Sequence, residues 1–315
     1  MSTTAHAHPN IALIKYWGKA EDVGNIPATP SLSLTISKLE TETSVCQSKR
    51  KDQFLFDDQE INDIKLATFL YELRQKYSIP PIKMRTKNNF PRNAGLASSS
   101  SGIAALVTAI NSEFELGIDT KELTKLARMG SGSAARSIYG GIVKLQGPSW
   151  EAEAFMEPND WPLEIVIAIT DYRNKKIPSS EGMKRSRASS PYYQQWLKST
   201  KEDYEMALEC FQERNFEKLI LIAEANCLKM HSVMLTTTPS LLYWNSATIA
   251  CIHQVRALRE QGIPVFFTID AGPQVKAICL PKTGHQVRKA LIKVPGVLEV
   301  VSTTLGKDAW TETPR

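Results

Sequence analysis

The stretch Pro91-Arg92-Asn93-Ala94-Gly95-Leu96-Ala97-Ser98-Ser99-Ser100-Ser101-Gly102 constrains the fold more than any other part of this chain, because it sets small residues and hydroxyls directly ahead of an apolar helical run. Gly95 and Ala97 let a backbone approach a ligand closely. The first N–H groups of the following helix lack intrahelical partners, and its positive dipole end attracts anions. The four serines can serve as a helix cap, or as hydroxyls for phosphate oxygens and a bound magnesium.

Around this turn, strands and helices interleave without repeats or low-complexity tracts. Residues 11–17, 31–37 and 41–47 are expected as strands, the last two by their period-two alternation. Leu66, Phe69, Leu70 and Leu73 mark a helix over 62–77 that Pro80-Pro81 ends. A short strand at 82–85 leads into the turn, and the helix after it carries Ile103, Leu106, Val107 and Ile110 on one face. A helix at 120–129 and strands at 140–145 and 163–170 follow. The stretch 173–187 is polar and basic, with residues 182–190 expected as a mobile segment able to close over a phosphate or as solvated surface, and helices follow over 191–214, 216–235 and 239–259. Strands at 265–269 and 275–280, a helix at 284–292 and a strand near 298–302 complete an α+β chain of two lobes, divided as 1–172 and 173–315.

At 315 residues the chain has ample apolar content for a core, and its net charge of +5 suits anionic small molecules without demanding a polynucleotide. A nucleic-acid module built from the basic 173–187 stretch with Tyr192, Tyr193 and Trp196 for stacking is disfavoured, since these aromatics fit the core face of a helix and acidic residues nearly balance the basic ones. Five scattered cysteines without a C-x-x-C pair argue against a disulfide framework or a zinc site and read as reduced thiols of a cytoplasmic protein. No signal-peptide core and no membrane-spanning run is recognised. Neither G-x-x-x-x-G-K-[ST] nor a strand-following G-x-G-x-x-G occurs, so the serine turn is the expected nucleotide cradle.

With that turn in hand, a resemblance becomes specific. Residues 91–99 resemble the phosphate-binding motif of the galactokinase, homoserine kinase, mevalonate kinase and phosphomevalonate kinase superfamily. Four further blocks occur with it in chain order: Asn10-Ile11-Ala12-Leu13-Ile14-Lys15-Tyr16-Trp17-Gly18-Lys19, Ser31-Leu32-Ser33-Leu34-Thr35, Gly130-Ser131-Gly132-Ser133-Ala134-Ala135-Arg136-Ser137 and Asp270-Ala271-Gly272-Pro273. Together with Asn88-Asn89-Phe90-Pro91 they resemble the mevalonate diphosphate decarboxylases over nearly the whole chain. The resemblance implies a two-lobed fold with ATP and substrate in the cleft, magnesium as cofactor, and often a homodimer. The implied activity is ATP-dependent decarboxylation of mevalonate 5-diphosphate to isopentenyl diphosphate, with phosphomevalonate decarboxylation or a related small-molecule kinase as the alternative. The chain departs from the usual pattern at Ala28-Thr29-Pro30 and Arg92-Asn93-Ala94, both bordering the expected cleft.

The residues suit that chemistry. Asp270 follows an apolar strand and would be presented at its end as the catalytic carboxylate, orienting an alcohol and accepting its proton late. The planar fork of Arg136 matches the departing carboxylate. Lys15 lies in an apolar strand where an ammonium is costly unless paired, which points to a role beside Asp270. Ser131 and Ser133 are candidate substrate hydroxyls. The resemblance assigns Tyr16, Lys19 and Arg187 to the phosphate tail, and Asn89, Gly95, Leu96, Ala97, Ser98 and Ser99 to ATP, with Ser98 near its magnesium.

Overall fold

The computed structural model describes residues 2–90, 98–173 and 175–312, so the expected nucleotide contacts at Gly95, Leu96 and Ala97 lie outside the described residues. The chain begins with strands Thr3–Ala7 (β1), Asn10–Ile14 (β2), Lys19–Glu21 (β3), Ile26–Pro27 (β4), Ser31–Thr35 (β5), Thr41–Gln47 (β6), Gln53–Phe56 (β7) and Gln59–Glu60 (β8). Helix Ile64–Lys76 (α1), strand Ile82–Asn88 (β9), and helices Ser98–Glu113 (α2) and Thr120–Gly130 (α3) come next. Strands Ile142–Gln146 (β10), Glu151–Met156 (β11) and Glu164–Ile169 (β12) precede helices Ser179–Ser189 (α4), Tyr193–Gln212 (α5), Phe216–Leu235 (α6) and Ser246–Glu260 (α7). Strands Val265–Thr268 (β13) and Val275–Cys279 (β14), helix Gly284–Leu291 (α8), and strands Glu299–Thr304 (β15) and Trp310–Thr311 (β16) complete the α+β fold.

The helices form where caps and apolar spacing coincide. Asp63 accepts a hydrogen bond from the Leu66 N–H at the start of α1, whose Leu66, Phe69, Leu70 and Leu73 are buried at helical spacing. In α2 small and branched residues, among them Ala104, Ala105, Val107 and Ile110, are buried around much of the circumference. This helix packs beneath a six-stranded sheet of order β16-β1-β6-β9-β7-β8. Along β6, Thr41, Thr43 and Val45 turn inward while Glu42, Ser44 and Cys46 turn outward, as a half-buried strand requires.

A second sheet, β11-β10-β5-β2, faces a third, β13-β14-β12-β15, across one continuous core. Ile11, Leu13 and Leu34 from β2 and β5 meet Ile165, Ile167, Phe266 and Ile278 from the third sheet there, with Phe211 and Leu219 of α5 and α6. This core brings the end of β2 beside the end of β13. Thr268 donates its hydroxyl to the Ala12 carbonyl at 3.3 Å, and the Lys15 N–H reaches Asn226 of α6 at 2.8 Å.

The structure differs from the sequence expectations in several places, among them the following. The basic stretch expected as mobile surface contains α4, which buries Gly182, Met183 and Ser186 against Trp17 and its neighbours. Helix α7 begins at Ser246 rather than 239, because Asn245 and Thr248 form a reciprocal capping box. Pairing does not follow a division after residue 172: β12 lies inside the third sheet between β14 and β15, and β16 returns to pair with β1, Ala5 opposite Thr311. Among the described residues, no helix is long and apolar enough to cross a membrane.

Candidate functional site

A cavity of about 1040 Å³ opens between these elements, at the upper end of the range for one small ligand. Its walls come from the β2–β4 segment, the first turns of α1 and α2, the α3–β10 turn, α4 and the end of β13.

Asp270 lies at the deep end. Its Oδ1 accepts from Lys15 Nζ at 2.7 Å and its Oδ2 lies 3.2 Å from Lys276 Nζ; both lysine side chains are 1% exposed, whereas 26% of the Asp270 side chain remains open. Burial acts to raise the Asp270 carboxyl, but the charges of Lys15 and Lys276 overcome it and hold the group well below the usual carboxylate range. The approach to Lys15 is braced from behind: Asn226, which accepts its N–H, donates to Asp203, and Asp203 pairs with Lys229 at 2.6 Å. Lys175 also lines the cavity, with Nζ donating to Ser179 Oγ at 2.7 Å and to the Ala271 carbonyl at 3.2 Å. Burial brings its ammonium down to about 8.

Arg136 belongs to a short 3-10 helix, Ala134–Ser137, and is buried at 2% exposure rather than solvated. Its Nε donates to Ser33 Oγ at 3.1 Å and its NH1 to Ser31 Oγ at 2.6 Å, so the inward serines of β5 aim the fork. Burial pulls this guanidinium down to about 10, leaving it charged at neutral pH. Ser131 and Ser133 line the same wall, with Gly132 between them.

Tyr16 and Lys19 also line the cavity. The Tyr16 hydroxyl is buried and has no hydrogen-bond partner among the described residues, and burial raises its pKa well above the phenol range. A buried hydroxyl without a partner is costly, so an oxygen-rich ligand fits there. Lys19 is held below its ordinary value by burial, with Lys184 and Lys65 pushing the same way against Asp22. The hairpin carrying Lys19 is fastened to α3: Arg128 donates to the Gly24 and Trp150 carbonyls, and Asn25 donates to those of Arg128 and Met129.

Two expected contacts are placed elsewhere. Arg187 is exposed and does not line the cavity; its NH1 donates to the Lys19 and Ala20 carbonyls at 3.2 and 3.4 Å, while Lys184, one turn earlier on α4, faces the cavity. Asn89 spends its amide on the backbone of Lys38 and Glu40, and Asn88 faces the cavity in its place, since neighbouring residues at a strand end point to opposite sides.

Ser98 and Ser99 line the cavity at the start of α2, where the helix dipole favours an anion. Beyond them the wall turns apolar, with Phe56, Ile61, Phe69, Met84 and Leu106, a surface suited to a flat heterocycle. These residues fit a nucleotide. Among the described residues no three His, Cys, Asp or Glu side chains gather into a metal site.

Sequence reasoning passed over Lys276, Lys175, Lys184 and Arg128. Lys276 carried a readable signal, the same as that of Lys15: a lysine inside an apolar strand.

Comparison with known proteins accords with this geometry. The family model for the diphosphomevalonate decarboxylase-like N-terminal domain matches residues 7–155, and that for the mevalonate 5-diphosphate decarboxylase C-terminal domain matches 165–309. The diphosphomevalonate decarboxylase of Candida albicans is 31% identical over 303 residues, covering 86% of this chain and 82% of its own. The crystal structure of mevalonate diphosphate decarboxylase from Staphylococcus aureus superposes with a TM-score of 0.92 at 33% identity, over 99% of this chain and 98% of that one. A complex of MDDEF with MVAPP, AMPPCP and magnesium gives a TM-score of 0.91 at 35% identity, over 100% and 99% of the two chains. With both of its halves matched in order, this chain belongs to the diphosphomevalonate decarboxylase family.

Proposed function

We propose that the protein catalyses the ATP-dependent decarboxylation of mevalonate 5-diphosphate, giving isopentenyl diphosphate, ADP, phosphate and carbon dioxide. The observation that carries this reading is the Asp270–Lys15 pair at 2.7 Å, in a cavity that also holds the Arg136 fork and the start of α2. Bound magnesium-ATP supplies the phosphoryl group that turns the tertiary hydroxyl into a leaving group. Asp270 orients that hydroxyl and takes its proton as the oxygen is phosphorylated. Lys15 keeps the carboxylate ionised. The C–O bond to the new phosphate then breaks with its electron pair, the electrons of the C–carboxylate bond form the double bond, and carbon dioxide departs.

Arg136 holds the leaving carboxylate, with Ser131 and Ser133 as hydroxyl donors beside it. Tyr16 and Lys19 take the diphosphate, with Arg187 holding the Lys19 segment and Lys184 adding charge from α4. The start of α2, with Ser98 and Ser99 and the preceding Gly95, Leu96 and Ala97, takes the ATP phosphates, Ser98 lying towards the magnesium. We further assign the lobes to either side of residues 155–165, on the limits of the two matched domains and the membership of β12 in the third sheet. A cytoplasmic homodimer completes the reading, in keeping with five free cysteines, and light scattering would measure the oligomeric state.

The decisive experiment offers mevalonate with zero, one or two phosphates together with magnesium-ATP, and measures ADP, phosphate and carbon dioxide. Equimolar release of all three from the diphosphate supports the reading. ADP without phosphate or carbon dioxide makes the protein a kinase, and a preference for the monophosphate makes it a phosphomevalonate decarboxylase.

A further inference from the structure

The reaction just described gives no role to the buried ammonium of Lys276. Lys276 is the second residue of β14, where its neighbours Val275 and Ala277 are core residues, and its side chain is 1% exposed. A lysine at such a position is costly to bury without a strong reason. The carboxylate of Asp270 is its ion-pair partner, and the two lysines divide that carboxylate between them: Lys15 takes Oδ1 and Lys276 takes Oδ2. Lys15 directly follows β2 of the second sheet, whereas Lys276 lies within β14 of the third. A carboxylate held at one oxygen can rotate about its Cβ–Cγ bond, whereas one held at both keeps a single plane.

Resting on the reading above, we propose that Lys276 is a positioning residue for Asp270, gripping Oδ2 so that the carboxylate presents one fixed face to the substrate hydroxyl. The same grip acts on charge. Lys276 is second only to Lys15 among the cations that oppose the burial of Asp270. Other groups feel the Asp270 charge: Lys175 ahead of α4, Arg136 in the 3-10 turn, and Cys227 and His231 on α6. Burial pushes the Cys227 thiol up and the His231 imidazole down to about 3, so neither carries charge at neutral pH. Among the described residues the charged groups that face Asp270 are therefore cations, and loss of Lys276 removes the ion-pair partner of its Oδ2.

The test compares Lys276→Met, close in shape without the charge, with Lys276→Arg, which keeps it. In the full-length protein without substrates, carbon-13 NMR of the Asp270 carboxyl should show its titration moved up by about one pH unit or more in Lys276→Met, the size of shift expected for losing an adjacent opposite charge. Lys276→Arg should stay within about half that shift. In turnover, the acid limb of kcat/KM should rise with the NMR titration and kcat should fall about tenfold or more, as for a misoriented base, with KM for ATP nearly unchanged. An Asp270 titration that does not move in Lys276→Met overturns the proposal, whatever happens to turnover, because a purely structural lysine would lower kcat without touching that titration. If Lys276→Met does not fold, the pair is read from the other side: in Asp270→Asn the Lys276 ammonium, followed by nitrogen-15 NMR, must titrate lower than in the wild type, and an unmoved ammonium overturns the proposal equally. Failure of the functional reading looks different, with no turnover of mevalonate diphosphate by the unmodified protein while both NMR titrations still respond.

Discussion

The Tyr16 hydroxyl rests so closely against Gly132 that any Cβ at that position would overlap the ring oxygen. Glycine is needed there for space, and the space is what keeps a partnerless hydroxyl on the cavity wall. Gly132→Ala should displace Tyr16 and raise KM for the phosphorylated substrate roughly tenfold, the cost of one hydrogen bond to a charged group. Tyr16→Phe should raise KM similarly while leaving the melting temperature unchanged or higher, since the hydroxyl has no partner to lose among the described residues. A fall in melting temperature with unchanged KM would assign Tyr16 to packing instead.

Asp270→Asn should fold and bind both ligands, with kcat lower by roughly 100-fold or more, as removal of a positioned base implies. Near-wild-type turnover in the folded variant would take Asp270 out of the mechanism. Calorimetric titration of the nucleotide checks that binding has survived.

The two arginines should fail in different ways. Arg136→Lys keeps a buried charge but loses the fork that Ser31 and Ser33 aim, and should lower the rate alike for mevalonate mono- and diphosphate. Arg187→Ala releases the Lys19 and Ala20 carbonyls, so it should mainly raise KM, with a smaller penalty for the monophosphate. Steady-state kinetics of both variants on both substrates measures this, and the reverse pattern would turn the substrate around in the cleft.

Much of this arrangement was legible in the chain itself. Helix α6 was readable to its last residue, because Phe216 to Leu235 keeps a dense apolar pattern. By contrast α4 buries only Gly182, Met183 and Ser186, too sparse a stripe to stand out among its charges. Strand β11 alternates Glu and Ala, and β1 is five residues of Thr, Ala and His, so neither shows the branched or aromatic run that announces a strand. In the site, the Asp270–Lys15 proximity could be anticipated from the cost of an ammonium in an apolar strand, and Lys276 met the same criterion without being picked out. The outward placement of Arg187 and Asn89 could not be read, because it depends on which carbonyls lie within reach after folding.

Acid should weaken the fold through His231. Its imidazole is 3% exposed, packed against Trp244 at an interplanar angle of 42°, and brought by burial from 6.5 to about 3. A group with a depressed folded pKa contributes stability that is present above its unfolded value and lost as pH falls towards the folded one. The window is therefore pH 6.5 down to about 3, with a slope of at most about 1.4 kcal/mol per pH unit. Urea midpoints measured across that range should show the slope in the wild type and a shallower one in His231→Phe. Equal slopes would assign the acid sensitivity to other groups.

The return of β16 to β1 bears on how the protein can be taken apart. Because β1 is hydrogen-bonded on one side to β6 and on the other to β16, a fragment that keeps β1 but stops at residue 155 would expose a row of backbone donors and acceptors along the outer side of β1. Open edges of that kind recruit other chains. The last short strand therefore acts as a selvedge, finishing the border of a sheet that the amino-terminal half weaves but leaves unbound, and the two halves are better studied by substitution than by scissors.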